Sequence, residues 1–335
     1  MPNLIIPKNY KSLLNFRQTE IAIKKVKDFF EHDLSAQLNL TRVSAPLFVK
    51  SSSGLNDTLN GVERPVSFDI KGESDVAEIV QSLAKWKRFA LAHYGFQRGE
   101  GLYTDMNAIR RDEDTDNLHS IYVDQWDWEV TINKEDRTLE TLKSFVHKIY
   151  ASLRHTEHYI ADEYDFASKL LPERITFITS QELEDRFPSL TPKQREYEVA
   201  KECGAVFIMQ IGGRLKSGQI HDGRAPDYDD WNLNGDIIVY YPVLDIALEI
   251  SSMGIRVDEE SLIRQLNERG CPERAELPFQ KALLEKRLPY TIGGGIGQSR
   301  MCMFFLRKAH VGEVQSSLWN AEDIKICHDN GINLL

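Results

Sequence analysis

Arg110-Arg-Asp-Glu-Asp114, followed after a short loop by His119-Ser-Ile-Tyr-Val-Asp-Gln-Trp-Asp-Trp-Glu129, is the stretch on which the fold turns. It reads as the end of one strand, a charged turn and a second strand that alternates strictly. From Ile121 one face carries Val123, Gln125, Asp127 and Glu129. The other carries Tyr122, Trp126, Trp128, Val130 and Ile132, interrupted only by Asp124. Such alternation most often means a half-buried antiparallel strand that shows polar side chains to water. Arg110 and the acids Asp112, Glu113 and Asp114 suggest another use. A rigid sheet lined with an arginine, an amide and carboxylates can hold a polyanion and a zwitterion at fixed places.

Working outward, the chain has 335 residues, of which 41% are hydrophobic and 27% charged, enough for a large core. An α+β architecture is expected, a mainly antiparallel sheet flanked by helices in one domain spanning 1–335. No apolar run approaches the ~20 residues of a membrane span, and Met1-Pro-Asn-Leu-Ile-Ile-Pro7 lacks the basic and apolar regions of a signal peptide. A cytoplasmic protein without membrane contact is expected. Cys203, Cys271, Cys302 and Cys327 are far apart, in no metal-binding spacing, and read as reduced thiols. Lys and Arg total 41 against 51 acids, a net charge of −10 without a basic stripe, so no nucleic-acid partner is expected.

Before the central stretch, Ala22, Val26, Phe29, Phe30, Leu34 and Leu38 mark one face of a helix within 15–40. An extended segment follows, with Pro46 at an edge or a bulge. Ser51-Ser-Ser-Gly54 opens a polar loop through Asp57 to Gly61; alone, Asp57 is an ordinary turn acid. Val66 to Ile70 predicts a short strand. Asp75 to His93 predicts a helix that leaves Lys85, Lys87 and Arg88 to divide between solvent and a site. Gly99-Glu-Gly101 leads into a strand over 102–109 that delivers Arg110.

After it come a helix over about 137–163, a strand over 174–180, and a helix opened by the capping box Thr191-Pro-Lys-Gln194 and closed by Gly204. Residues 205–211 predict an apolar strand. Gly212 to Gly235 is turn-rich and holds His221, Asp222, Asp227, Asp229 and Asp230, an acidic loop of the kind usually solvated. Asp236 and Glu249 then fall at strand mouths, a carboxylate set that suits Mg²⁺; a lone His221 lacks the ligand count for zinc. Residues 261–269 predict a short helix. Thr291-Ile-Gly-Gly-Gly-Ile-Gly-Gln-Ser-Arg300 reads as strand, glycine-rich turn and helix start, and fits neither the dinucleotide fingerprint nor the P-loop.

The arginine, acid run, loop and acid-ended strand of 110–129 resemble motif 2 of the class II aminoacyl-tRNA synthetases, above all the aspartyl and asparaginyl branch. The helix and proline-bearing strand before it resemble motif 1, and the glycine run with Arg300 resembles motif 3. More closely, Ser82-Leu-Ala-Lys-Trp-Lys-Arg88, Gly99-Glu-Gly-Leu-Tyr103, Val123-Asp-Gln-Trp-Asp-Trp-Glu129, Ala225-Pro-Asp-Tyr-Asp-Asp-Trp231, Ser251-Ser-Met-Gly-Ile-Arg256 and Gly293-Gly-Gly-Ile-Gly-Gln-Ser-Arg300 resemble the ammonia-dependent asparagine synthetases, the aspartate–ammonia ligases. Each block is a weak signal; six in the family's order are a specific one.

The resemblance implies that L-aspartate, ATP and ammonia give asparagine through β-aspartyl-AMP, with AMP and pyrophosphate released and Mg²⁺ required. It assigns Arg110 to the α-phosphate, and Arg300, Gly295, Asp229, Asp236 and Glu249 to the nucleotide, with Asp236 and Glu249 holding the metal. Gln125 and Asp127 would orient aspartate and the intermediate. Asp57 and Lys87 would pair with its α-ammonium and α-carboxylate, with Ser82, Asp229, Ser252 and Arg256 completing that side. Asp57, Asp127 and Asp229 stay equal candidates for taking the proton from ammonium. Motif 1 implies a homodimer. Two other readings are an aspartyl- or asparaginyl-tRNA synthetase, disfavoured because too little chain precedes the first helix for an anticodon-binding domain, and an inactive paralogue serving as a binding module. No segment resembles a glutaminase, so free ammonia is the expected nitrogen donor.

Overall fold

A computed structural model of the chain describes residues 4–57, 63–164 and 169–335. The three-and-four spacing yields α1 (Phe16–Leu38), with Ala22, Val26, Phe30, Leu34 and Leu38 buried and an Asn15/Gln18 capping box at its start. Asn39, at φ 54°, ends it in the left-handed region and turns the chain into β1 (Leu40–Arg42). Strands β2 (Phe48–Lys50), β3 (Ser67–Phe68) and β4 (Ala77–Ile79) make a small sheet in the order β2-β4-β3. Helix α2 (Ala84–Tyr94) precedes the hairpin β5 (Gly101–Ile109) and β6 (Tyr122–Ile132), and α3 (Leu139–Tyr164) follows.

The second half runs β7 (Thr176–Thr179), α4 (Ser180–Arg186), α5 (Pro192–Cys203), β8 (Ala205–Met209), β9 (Asp229–Tyr241), β10 (Ile246–Arg256) and α6 (Glu259–Glu268). It ends with α7 (Pro278–Leu284), β11 (Tyr290–Gly297), α8 (Gln298–Phe305) and α9 (Ala321–Asp329). Among the described residues eight strands form one sheet, β1-β5-β6-β11-β10-β9-β8-β7. Only the outer pairs, β1 with β5 and β7 with β8, are parallel. The α+β expectation holds. No helix among the described residues is long and apolar enough to cross a membrane.

The core fixes which way β6 faces. Trp126 and Trp128 are fully buried; Phe30 of α1 packs on Trp126 with centroids 4.9 Å apart, and Phe145 of α3 stacks on Trp128 at 5.9 Å. Each buried indole contributes on the order of 4–6 kcal/mol of transfer free energy. A one-residue slip would bring three acids or amides into that layer, so the register has one solution. Gln125, Asp127 and Glu129 therefore lie opposite the tryptophan core. They do not face open water: Asp127 and Glu129 are buried beneath α2, and Gln125 is partly so.

Three local expectations are corrected. Residues 75–83 are not helical, because Val76, Ile79 and Val80 favour extended backbone and β4 pairs with β2 and β3 on its two sides. The helix starts only at Ala84, where Ser82 Oγ accepts from the Ala84 amide at 3.1 Å, and it buries Lys85, Lys87 and Arg88 together. The turn-rich segment ends earlier than Gly235, since β9 begins at Asp229 and pairs Arg256 with Asp229 across a β-bulge. The glycine run is a strand, not a turn: β11 is central in the sheet, with Gly293, Gly295 and Gly297 opposite Glu129, Asp127 and Gln125. Of the loop expected to reach Gly61, residues 58–62 lie outside those described.

Candidate active site

A cavity of about 520 Å³ opens over the polar face of β6. Its floor is Gln125 and Asp127 with the glycines of β11, continued by Glu249, Ser252 and Arg256 of β10. The glycines are there because side chains would fill the floor. A Cβ on Gly293 would lie 2.5 Å from Glu129 Cδ, and one on Gly295 would overlap Gln125 Oε1. Of the residues singled out in the sequence, Ser82, Lys87, Arg110, Gln125, Asp127, Asp229, Glu249, Ser252, Arg256, Gly295 and Arg300 line this one cavity. Asp57 and Asp236 stand just outside it. Asp57 is buried, its carbonyl taking a 3.1 Å bond from cavity-lining Gln81. Asp236 lies opposite Ser252 in the sheet register.

The floor is a buried ion network. Arg256 sends Nε to Glu129 Oε1 at 2.9 Å, Nη2 to Oε2 at 2.7 Å and Nη1 to Asp229 Oδ1 at 2.6 Å. Thr291 Oγ1 donates to Glu129 at 2.6 Å. Lys87 pairs with Asp127, and its other donors meet the Trp128 and Gly294 carbonyls at 3.0 and 3.2 Å. Lys87 is thus saturated in this geometry, and to reach a substrate carboxylate it must release a carbonyl. Burial alone would raise the Glu129 carboxyl, but Arg256 and Lys87 hold it below the usual carboxylate range. Asp229 goes the other way: burial raises it despite Arg256. Asp127, Glu129 and Asp229 make their direct ion pairs with two cations, Lys87 and Arg256, and the guanidiniums of Arg88 and Arg224 act on Glu129 and Asp229 from farther off.

The other end is cationic. Arg110 lies just past β5, with its nearest acid, Glu113, 3.8 Å away and its Nε buried without a partner. Arg300 makes one long bond, from Nη1 to the Glu249 carbonyl at 3.3 Å. Arg224, which sequence reasoning passed over, pairs with Asp236 and reaches Asp222 at 3.1 Å. Burial and Glu249 push the Asp236 carboxyl up to about 6, although Arg224 opposes them. Asp236 Oδ1 is buried and has no hydrogen-bond partner. That orphaned hard oxygen beside Glu249 is what a divalent cation would complete, so the two carboxylates fit Mg²⁺. His221 is not placed for such a role, since its Nε2 meets Glu196 at 3.0 Å. Glu129 was also missed as a site residue. Its signal was an acid on the period-two face of a strand whose neighbours are tryptophans.

A family model described as aspartate-ammonia ligase matches residues 17–331. The chain is 65% identical to the aspartate–ammonia ligase of Clostridium perfringens strain SM101 over the full length of both. It is 64% identical to that of Ruminiclostridium cellulolyticum, again over the full length of both. The relative from Bacillus cereus is 59% identical, over 97% of this chain and 99% of its own. Among solved structures, the asparaginyl-tRNA synthetase of Entamoeba histolytica superposes with a TM-score of 0.60 at 14% identity, over 90% of this chain and 67% of that one. The asparaginyl-tRNA synthetase of Pyrococcus horikoshii complexed with asparaginyl-adenylate gives 0.60 at 16%, over 90% and 70%. Those likenesses establish the fold as that of a class II aminoacyl-tRNA synthetase catalytic domain.

Proposed function

The chain belongs to the aspartate–ammonia ligase family, ligases that form a C–N bond in making asparagine from aspartate and ammonia, and on that premise we propose how the cavity divides the work. A carboxylate resists ammonia because its leaving group would be oxide. ATP supplies a better one: an oxygen of the β-carboxylate attacks the α-phosphorus, the bond to the bridging oxygen breaks, and pyrophosphate leaves. Ammonia then attacks the acyl carbon of β-aspartyl-AMP, the bond to AMP breaks, and the nitrogen gives up a proton.

The observation that carries this reading is the polarity of the cavity. Its floor presents the carboxylates of Asp127 and Asp229, with Asp57 buried just outside, and these three are the candidate partners of the α-ammonium of aspartate. Arg110, nearly unpaired, meets the negative charge on the α-phosphoryl group. Gln125 lies between these ends and orients the β-carboxylate, with Ser82, Ser252 and Lys87 on the aspartate side. Arg300, Gly295 and Arg224 serve the nucleotide and pyrophosphate. Asp236 and Glu249 would hold Mg²⁺, which neutralises phosphate charge when bound. Arg256 acts by keeping Glu129 and Asp229 ionised and in place. The chain works as one catalytic domain. A homodimer is supported by the exposed hydrophobic side chains of Leu47, Phe48, Phe68 and Val76 on and next to the small sheet, where Phe48 and Phe68 meet edge to face at 5.2 Å; sedimentation at equilibrium tests it.

The decisive assay incubates the enzyme with aspartate, ATP and ¹⁵N-ammonium. Label in the asparagine side-chain amide, with AMP and pyrophosphate in equal amounts, is the expected outcome. ADP as product would reject the adenylate route. Turnover only with added tRNA would favour the synthetase reading.

A further inference from the structure

Asp124 breaks the pattern of its own strand. It lies on the face of β6 that sends Trp126, Trp128 and Val130 into the core, yet it is an acid, and only 7% exposed. A carboxylate so placed is strongly unfavourable unless its oxygens are met. Three separate segments meet them. Lys27 of α1 reaches Oδ2 at 2.9 Å. The Ser299 amide of α8 donates to Oδ1 at 3.1 Å. Gln315 Nε2 donates to Oδ1 at 3.3 Å and to Ser299 Oγ at 3.0 Å.

The first turn of α8 needs such help. Its N-cap is Gly297, which has no side chain to accept from the free amides. The capping oxygen comes instead from the neighbouring strand, through Asp124. Three consecutive residues of that turn are tied to three strands: Gln298 Nε2 to Asp105 of β5 at 3.0 Å, Ser299 to Asp124 of β6, and Arg300 to the Glu249 carbonyl of β10 at 3.3 Å. The Arg300 bond is the longest of the three and ends on a neutral carbonyl, so it constrains the guanidinium least. The direction of Arg300 is set by the turn that carries it.

We infer that Asp124 is a positioning residue for Arg300: it caps α8 from outside the helix, and Lys27 and Gln315 hold it in place, so that the guanidinium stays directed at the cavity. The inference rests on Arg300 meeting the nucleotide. Asp124 is on the face of β6 opposite Asp127 and Glu129, so its loss reaches the nucleotide end and leaves the aspartate end alone. Because Asp124 also lines the cavity, direct contact with nucleotide is the rival role.

Binding of ATP and of aspartate, measured by titration calorimetry for Asp124→Ala, Arg300→Ala and the double variant, separates these roles. Asp124→Ala should weaken ATP about tenfold, the loss on removing one hydrogen bond to a charged group, with aspartate affinity unchanged. The double variant should bind ATP no more weakly than Arg300→Ala alone. Asp124→Asn should recover part of the loss, because its amide oxygen still accepts from Ser299. Should Asp124→Ala fail to fold, Asp124→Asn and Lys27→Met carry the test, each expected to weaken ATP selectively. Unchanged ATP affinity, additive losses in the double variant, or equal loss of both ligands would each overturn the inference. Unchanged ATP affinity in Arg300→Ala would instead remove the nucleotide role of Arg300, and this inference with it.

Discussion

Gly295→Ala should inactivate the enzyme without unfolding it. The Cβ would overlap Gln125 Oε1, 3.1 Å from Gln125 Cδ, where ordinary contact begins at 3.4 Å. The amide must therefore withdraw by about 1 Å, a displacement that costs on the order of 10²-fold when it affects a group that aligns reacting atoms. Gln125 can yield, because Oε1 is the far end of a flexible side chain, so the melting temperature should hardly move. Gly293→Ala, two residues earlier, is the control. Its Cβ would meet Glu129 and lie 2.6 Å from the Trp128 carbonyl. Glu129 cannot yield, being held by Arg256 and Thr291, so that variant should be destabilised. Aspartate-dependent exchange of label between pyrophosphate and ATP reads the activity, and urea unfolding reads the stability. Near-normal exchange in Gly295→Ala, or equal destabilisation of both variants, would refute the assignment of Gln125 to orientation and the packing argument together.

Arg110→Ala should lower kcat by on the order of 10² or more, as loss of an oxyanion donor does, with the fold intact by circular dichroism. Glu129→Gln should cost about 3–5 kcal/mol at pH 7, because Arg256 loses half of its buried counter-charge. The native Glu129 carboxyl lies below its ordinary 4.5. Its stabilisation is therefore complete above that pH and lost as pH falls through the lower native value, so the wild-type acid-unfolding curve should be steeper there than the variant's. With Asp236 pushed up to about 6, a proton competes with the cation, and magnesium-dependent ATP binding measured by calorimetry should weaken from pH 7 to pH 5. Asp236→Asn should flatten that trend.

The sequence by itself determined the elements with a strong period and the chemistry carried by local blocks. The 3.6-residue spacing of α1, the box Thr191/Gln194 at the start of α5, and the alternation of β6 are all present as read. They are local because a helix face, a cap or a strand face is specified by residues a few positions apart. The eleven cavity-lining residues were singled out by the family resemblance of the blocks around them, not by period or spacing, and the fold brings them to one cavity. Tertiary structure alone decided the rest. Residues 77–79 became a strand because two pairing partners, β2 and β3, were available to a segment whose β-branched residues already favour extended backbone. The glycine run became a strand because only glycine leaves room for Glu129 and Gln125 across the register. Asp124, Glu129 and Arg224 took their roles from partners 175, 127 and 12 positions away. Charges that are ordinary along the chain become a network only when the sheet brings them together and removes the water between them.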